Sequence, residues 1–426
     1  MKRWTASRML TVGTILLAAA CDGTTTDPVA PPVTDANGIS TAGATGSLPS
    51  LGQQIFFDQN LSFRRNQSCS SCHSPAFGFS SPTPGFNAHG AVVGGSIQGR
   101  FGNRRPPSAA YAAMSPVFSF STDDDTYVGG NFWNGRATGE KLGNPAADQA
   151  QAPFLNPVEQ GLPDAACVIH RIAASRYANI YRAVWGKRIS NIVFPPNVET
   201  LCSTEGVTVP LSVDDRTAVD REYDHVALAI AAYEASPAVS PFRSRFDAWR
   251  EGHGTLSPQE IRGFGLYVGK AGCEGCHPSA GDRALFTDFT YDNIGVPANP
   301  ENPARIANGF VDGGLGDRLG DPSLEGQQKV ATLRNLDKRP TPGAPKGYMH
   351  NGVFKTLEQV VHFYNTRDVL PACASAIGPT DPAFGRTCWP APEVLENVNR
   401  DELGNLGMNH EEELDVVAFL KTLSDQ

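Results

Sequence analysis

Three things are scarce in this chain: basic charge, strand patterning and long apolar runs. Its 35 lysines and arginines face 44 aspartates and glutamates, giving a formal charge of −9 over 426 residues. A surface of that sign repels phosphate backbones and argues against nucleic acid as a partner. It suits a small basic redox protein, and solubility alone also accounts for it. Period-two alternation is rare and brief, which leaves helices to build the core. Beyond the first twenty residues no segment is apolar enough for long enough to span a membrane.

What is present begins with an export signal. Lys2, Arg3 and Arg8 precede an apolar run from Met9 to Leu17, and Ala18, Ala19 and Ala20 supply the small residues of a cleavage site. Residues 1–21 therefore read as a signal peptide ending at Cys21. A lipid on Cys21 is consistent with this, although alanine stands at position 18, where a lipobox more often has leucine. The polar, Thr/Pro-rich stretch 22–47 reads as a flexible linker. The expected location is the periplasm, with Cys21 as the candidate lipid anchor. Without Lys2, Arg3 and Arg8 the balance is 32 basic against 44 acidic residues, or −12. The remaining length suits two domains, placed at 48–254 and 255–426.

Nine cysteines carry the chemistry. Cys69-Ser-Ser-Cys72-His73 and Cys273-Glu-Gly-Cys276-His277 repeat one spacing, in which two thiols can add to the vinyl groups of a haem and the next histidine can take its iron. One copy would also fit a redox pair or half a zinc knuckle. Two copies in an exported chain point to two covalently bound c-type haems with His73 and His277 as proximal ligands. Cys167, Cys202, Cys373 and Cys388 remain. In an oxidising compartment they can form two disulfides, most simply Cys167–Cys202 and Cys373–Cys388, out of three pairings open to four thiols.

Each haem motif follows an amphipathic helical pattern, Leu51–Phe57 before the first and Ile261–Tyr267 before the second, so the unit looks duplicated. A long helix is predicted over 218–235, stopped by Ser236-Pro237. Ser257, Pro258 and Glu260 announce a capped helix start, and Glu411–Leu423 a terminal helix.

The motifs Leu51-Gly-Gln-Gln-Ile-Phe-Phe-Asp58, Phe132-Trp-Asn-Gly-Arg136, Phe286-Thr-Asp288, Thr332-Leu-Arg-Asn335 and Tyr348-Met-His-Asn-Gly352, in this order around the two haem motifs, resemble the bacterial di-haem cytochrome c peroxidase and MauG family. The likeness extends over nearly all of the mature chain. It implies a mainly α fold, with two cytochrome-c-like domains packed so that their haems lie near a common interface. It places hydrogen peroxide at the His73 haem, with Glu159 as distal acid and Gln149 in the same pocket, and electron transfer at the His277 haem. Trp133 matches the tryptophan between the haems. His89 matches a conditional distal ligand of the resting peroxidases. Tyr364, fourteen residues after His350, stands where peroxidases have methionine and MauG has tyrosine; Met349 and Met408 are the fallback ligands. By residue type alone, Glu159 would be a surface carboxylate, His89 a loop histidine, and Trp133 and Tyr364 core aromatics.

The family's calcium site is in doubt, because Arg105 follows Arg104 where an asparagine is usual. The implied activity is peroxide reduction with electrons from a small donor, a cytochrome c or a cupredoxin. The alternative is MauG-like, peroxide-dependent oxidation of a partner protein. A purely electron-transferring di-haem cytochrome is a third reading, against which Glu159 and Gln149 speak.

Overall fold

A computed structural model describes residues 47–426 apart from Pro82; the expected leader, Cys21 and the linker up to Gly46 lie outside the described residues. The described residues are mainly helical, and the strands among them form two short antiparallel pairs: β1 (Ser119–Ser121) with β2 (Thr126–Val128), and β3 (Tyr291–Asp292) with β4 (Gln328–Lys329). No helix of the described residues is long and apolar enough to cross a membrane.

Two helix crossings repeat one design. Helix α1 (Ser47–Phe56) buries Leu48, Leu51, Ile55 and Phe56 against α3 (Val213–Glu234), which follows α2 (Pro145–Leu155) in the chain. Helix α4 (Pro258–Val268) packs in the same way on the terminal α6 (His410–Lys421), with α5 (Leu357–Thr366) lying between them in sequence. Each crossing turns on a glycine. A Cβ on Gly52 would stand 1.9 Å from the Ala229 carbonyl oxygen and 2.9 Å from Tyr233 Cβ. A Cβ on Gly263 would meet the Asp415 carbonyl oxygen at 1.9 Å and Phe419 Cβ at 3.0 Å. Only a residue without a side chain lets the two backbones approach this closely.

The caps follow the sequence. Ser257 accepts from the Glu260 amide at 3.3 Å, and Glu260 accepts from the Ser257 amide at 2.7 Å. The long helix starts earlier than its apolar pattern suggested, because Ser212 accepts from the Asp215 amide and caps a polar first turn.

Two large apolar cores result, one built from residues between Leu48 and Val239, the other from residues between Phe246 and Leu423, and a small third cluster of Ala146, Ala147, Leu228 and Ala231 sits where α2 meets α3. The Cys167–Cys202 disulfide lies within the first and Cys373–Cys388 beside the second, in the local pairing expected. Polar contacts join the halves: Arg104 forks onto Asp312 at 2.6 Å through both bonds, and Tyr111 donates to Asp425 at 2.6 Å. Within the second half, Arg334 forks onto Asp247 at 2.8 and 2.7 Å.

Candidate functional site

The two Cys-x-x-Cys-His segments are held alike. Cys69–Cys72 is one helical turn, closed by the His73 amide donating to the Cys69 carbonyl at 2.9 Å; the His277 amide does the same to Cys273. His73 Nδ1 then faces the Phe79 carbonyl at 3.1 Å, and His277 Nδ1 the Phe286 carbonyl at 2.8 Å. A carbonyl only accepts, so Nδ1 carries the proton and Nε2 keeps its lone pair for a metal. Burial holds both imidazoles below their ordinary pKa, in the neutral form that ligates. Both phenylalanines turn their carbonyls from the left-handed region, at φ 55° and 53°. Cys69, Cys72, Cys273 and Cys276 are in no disulfide, whereas the other four described cysteines are paired.

Beside His73 lies a cavity in two lobes of about 130 and 110 Å³. Cys69, Cys72, Arg136 and Glu159 line the smaller lobe, Trp133 the larger, and Gln149 and Glu234 both. Helix α2 carries Gln149, and the turn after it carries Glu159, whose carboxylate accepts from Asn156 Nδ2 at 3.0 Å. Burial raises the Glu159 carboxyl above the usual range, with Arg136 and Asn156 opposing. Such a group can take and return a proton. His89 is not brought to this cavity. Its side chain is 71% exposed, beside Glu301 at 3.5 Å.

His277, Cys273 and Cys276 line a larger cavity of about 430 Å³, together with Tyr364, Met349 and Met408. Tyr364 projects from α5, and its hydroxyl has no hydrogen-bond partner among the described residues. Burial raises its pKa. All three candidate ligands of the second site thus share one space.

A common wall separates the cavities. Trp133, Arg105 and Lys329 line both the larger His73 lobe and the His277 cavity. Trp133 is 7% exposed and donates from Nε1 to the Arg105 carbonyl at 2.7 Å. The Arg105 guanidinium lies 5.5 Å from the Trp133 ring and donates to the Met349 carbonyl at 2.9 Å. Burial brings Arg105 down to about 10, so it stays charged at neutral pH. Lys329 donates through its backbone to the Trp133 carbonyl at 2.7 Å and through Nζ to Ser115, Gly130 and Asn131. Burial lowers its ammonium to about 7. At the doubtful calcium position Arg104 pairs with Asp312, and no group of three His, Cys, Asp or Glu among the described residues is placed to hold a metal ion.

Paired thiols, an anchored histidine with a free Nε2 and an adjoining cavity fit a haem at each position. Residues 47–255 match the family described as di-haem cytochrome c peroxidase. The methylamine utilization protein MauG of Paracoccus denitrificans (strain Pd 1222) is 34% identical over 395 residues, 90% of this chain and 90% of its own length. The chain belongs to the di-haem cytochrome c peroxidase family. Another member, the cytochrome-c peroxidase IdrP1 of Denitromonas iodatirespirans, is 25% identical over 89% of this chain and 82% of its own length. The crystal structure of the diheme peroxidase BthA from Burkholderia thailandensis E264 matches with a TM-score of 0.67 at 29% identity, covering 89% of this chain and 86% of that one.

Membership in the family implies two haems and an oxidoreductase. Some residues of the site carry no sequence signal. Phe79 acts through its backbone carbonyl, and nothing in a lysine's identity marks Lys329 as part of the wall between the cavities; Phe286 stands at the head of the Phe286-Thr-Asp288 motif, but its role as the carbonyl that aims His277 is not readable there.

Proposed function

We propose that the protein is a di-haem c-type peroxidase that reduces hydrogen peroxide with electrons from a small redox protein, a cytochrome c or a cupredoxin. The observation that carries this reading is Glu159, a carboxyl of raised pKa lining the cavity of the His73 site. Bound haem would supply redox-active iron for chemistry on peroxide at the His73 site. The chain would hold each haem through thioethers, at Cys69 and Cys72 and at Cys273 and Cys276, with His73 and His277 as ligands. Hydrogen peroxide takes up two electrons and two protons to give two waters. Glu159 moves a proton from one peroxide oxygen to the other, and Gln149 orients the substrate beside it. Trp133, in the wall shared by both cavities, carries the electrons across. The names of the relatives support peroxide as oxidant: two are called peroxidases. A site built to relay protons is superfluous in a purely electron-transferring cytochrome.

One observation favours a second reading. Tyr364 lines the second cavity with a hydroxyl unclaimed by the described residues, and the 34% likeness is to MauG. A phenolate ligand stabilises ferric iron, which suits storage of oxidising equivalents for use on a partner protein. In either reading the protein is exported to the periplasm, with Cys21 as its lipid anchor and its two haem domains at 48–254 and 255–426.

Stopped-flow mixing of the haem-loaded protein with one equivalent of peroxide, then with a reduced small cytochrome, tests both readings. Rapid donor oxidation, slowed about 10²- to 10⁴-fold by Glu159→Gln, is the expected result. A peroxide-induced spectrum that the donor discharges only slowly supports the MauG-like reading. No reaction with peroxide at all leaves the electron-transfer cytochrome.

A further inference from the structure

The hairpin β1–β2 takes no part in the proposed reaction and lines neither cavity. Phe120 stands opposite Tyr127 across the two strands, with the rings edge to face 5.0 Å apart. Phe118, two residues before Phe120, falls on the same face and stacks on Tyr127 at 5.1 Å. The outer end of this row is open, since Phe120 is 47% exposed. The turn between the strands carries Asp123, Asp124 and Asp125, all exposed. Among the described residues, the one side chain bonded to any of these carboxylates is Ser121, which donates to Asp124 at 2.9 Å. A loop that only kept the protein soluble would use the aspartates and have no use for a row of aromatic rings. A contact surface uses both, as an apolar centre beside a charged rim.

The inner end of the row leads to the second site. Phe118 meets Tyr291 edge to face at 5.9 Å, and the Tyr291 hydroxyl donates to the Gly129 carbonyl at 2.5 Å. Tyr291 opens β3; Asp292 of β3 and Gln328 and Lys329 of β4 line the His277 cavity. A protein seated on Phe120 and Tyr127 is thus separated from that cavity by Phe118, Tyr291 and one strand pair.

Charge selects the occupant. A second copy of this chain brings a net charge of −9 and the same three aspartates, and is repelled. A partner with lysines and arginines around an apolar patch is attracted and matches both features. Arg318 lies over Phe118 at 3.9 Å, at the inner end of the row, with Glu140 near enough to act on its charge.

We propose that the β1–β2 hairpin is the docking surface for the electron donor, a small redox protein whose apolar contact patch is ringed by basic side chains. Phe120 and Tyr127 form the centre of the contact, and Asp123, Asp124 and Asp125 draw the partner in. Each docked donor gives up one electron and leaves oxidised, so two dockings supply the two electrons that one peroxide takes up. The proposal rests on the peroxidase reading, with electrons entering on the His277 side, and adds to it the place where the donor is received.

The test uses haem-loaded full-length protein in three forms: native, Phe120→Ser, and a triple variant with Asp123→Asn, Asp124→Asn and Asp125→Asn. Each is given peroxide and a reduced, lysine-rich small cytochrome c at low and at physiological ionic strength. A neutral hydroquinone serves as a second donor, one that needs no docking surface. The triple variant is expected to lower kcat/KM for the cytochrome about tenfold at low ionic strength, with the difference shrinking as salt is added. Phe120→Ser is expected to lower it about tenfold at both ionic strengths, since it removes the apolar centre. All three proteins oxidise the hydroquinone at one rate, which shows that the variants are folded and loaded. Cytochrome kinetics unchanged from native in either variant overturn the proposal. The underlying reading is judged by the native protein. If it reduces peroxide with the hydroquinone and not with the cytochrome, the docking proposal alone fails. If it reduces peroxide with neither donor, the peroxidase reading fails and the docking proposal falls with it.

Discussion

Arg334 offers the sharpest test of how the second half is held together. Its side chain is fully buried and forks onto Asp247 at 2.8 and 2.7 Å, with Nε donating to the Ala284 carbonyl at 2.6 Å. The guanidinium also lies 4.5 Å from the Phe242 ring and 5.0 Å from that of Tyr111. Arg334→Met fills most of the same volume and removes the charge. Asp247 is then left with donors from Ser244 alone, and its burial is no longer offset. Breaking one side of a buried pair costs about 3–5 kcal/mol, because the remaining charge is stranded. Adding Asp247→Asn removes the stranded charge and should recover about 1–2 kcal/mol of that loss.

The pH dependence has a definite sign. Burial pushes the Asp247 carboxyl up, but the Arg334 bond and charge outweigh it and hold the pKa below its ordinary value. The stabilisation is therefore present above the unfolded pKa of about 3.9 and is lost as pH falls through the folded value. Urea unfolding of the haem-loaded protein measures all of this. Arg334→Met should lower the midpoint strongly at pH 7 and flatten the loss of stability below pH of about 4. A single variant within about 1 kcal/mol of the native protein, or a double variant no better than the single, would refute the argument.

Gly52→Ala and Gly263→Ala should each lower thermal stability by about 1–3 kcal/mol, since the new methyl overlaps a backbone oxygen on the facing helix; calorimetric midpoints unchanged from native would sink the close-crossing account. Tyr364→Phe should alter the optical and EPR signature of the His277 haem, and an unchanged spectrum would pass the ligand position to Met349 or Met408. His89→Ala should leave the resting spectrum of the His73 haem as it is, because the side chain is 71% exposed and faces Glu301; a shift to a five-coordinate spectrum would show that His89 reaches the iron after all.

Local chemistry was readable from the sequence. Haem attachment needs two thiols and an imidazole within five residues, so Cys69–His73 and Cys273–His277 stand out in any reading of the chain. The capping box at Ser257 and the apolar faces of α1, α4 and α6 are equally local, each set by spacing along a few turns. The two disulfides followed the shortest closures, 35 and 15 residues apart.

Tertiary packing decided the rest. Arg334 meets Asp247 across 87 residues, and Trp133 finds the Arg105 carbonyl across 28. No periodicity links such positions. Whether Arg104 is paired depends on where the second half of the chain delivers Asp312. His89 shows the same limit from the other side. Its position after the haem motif suggested a ligand, yet the loop carries it outward to Glu301. The sequence by itself determined which residues can bind haem and which segments are helices, because those properties depend on neighbours along the chain. Only the tertiary structure decided which charges are paired, which carbonyls aim the histidines and what stands between the two cavities, because these depend on contacts and burial between distant segments.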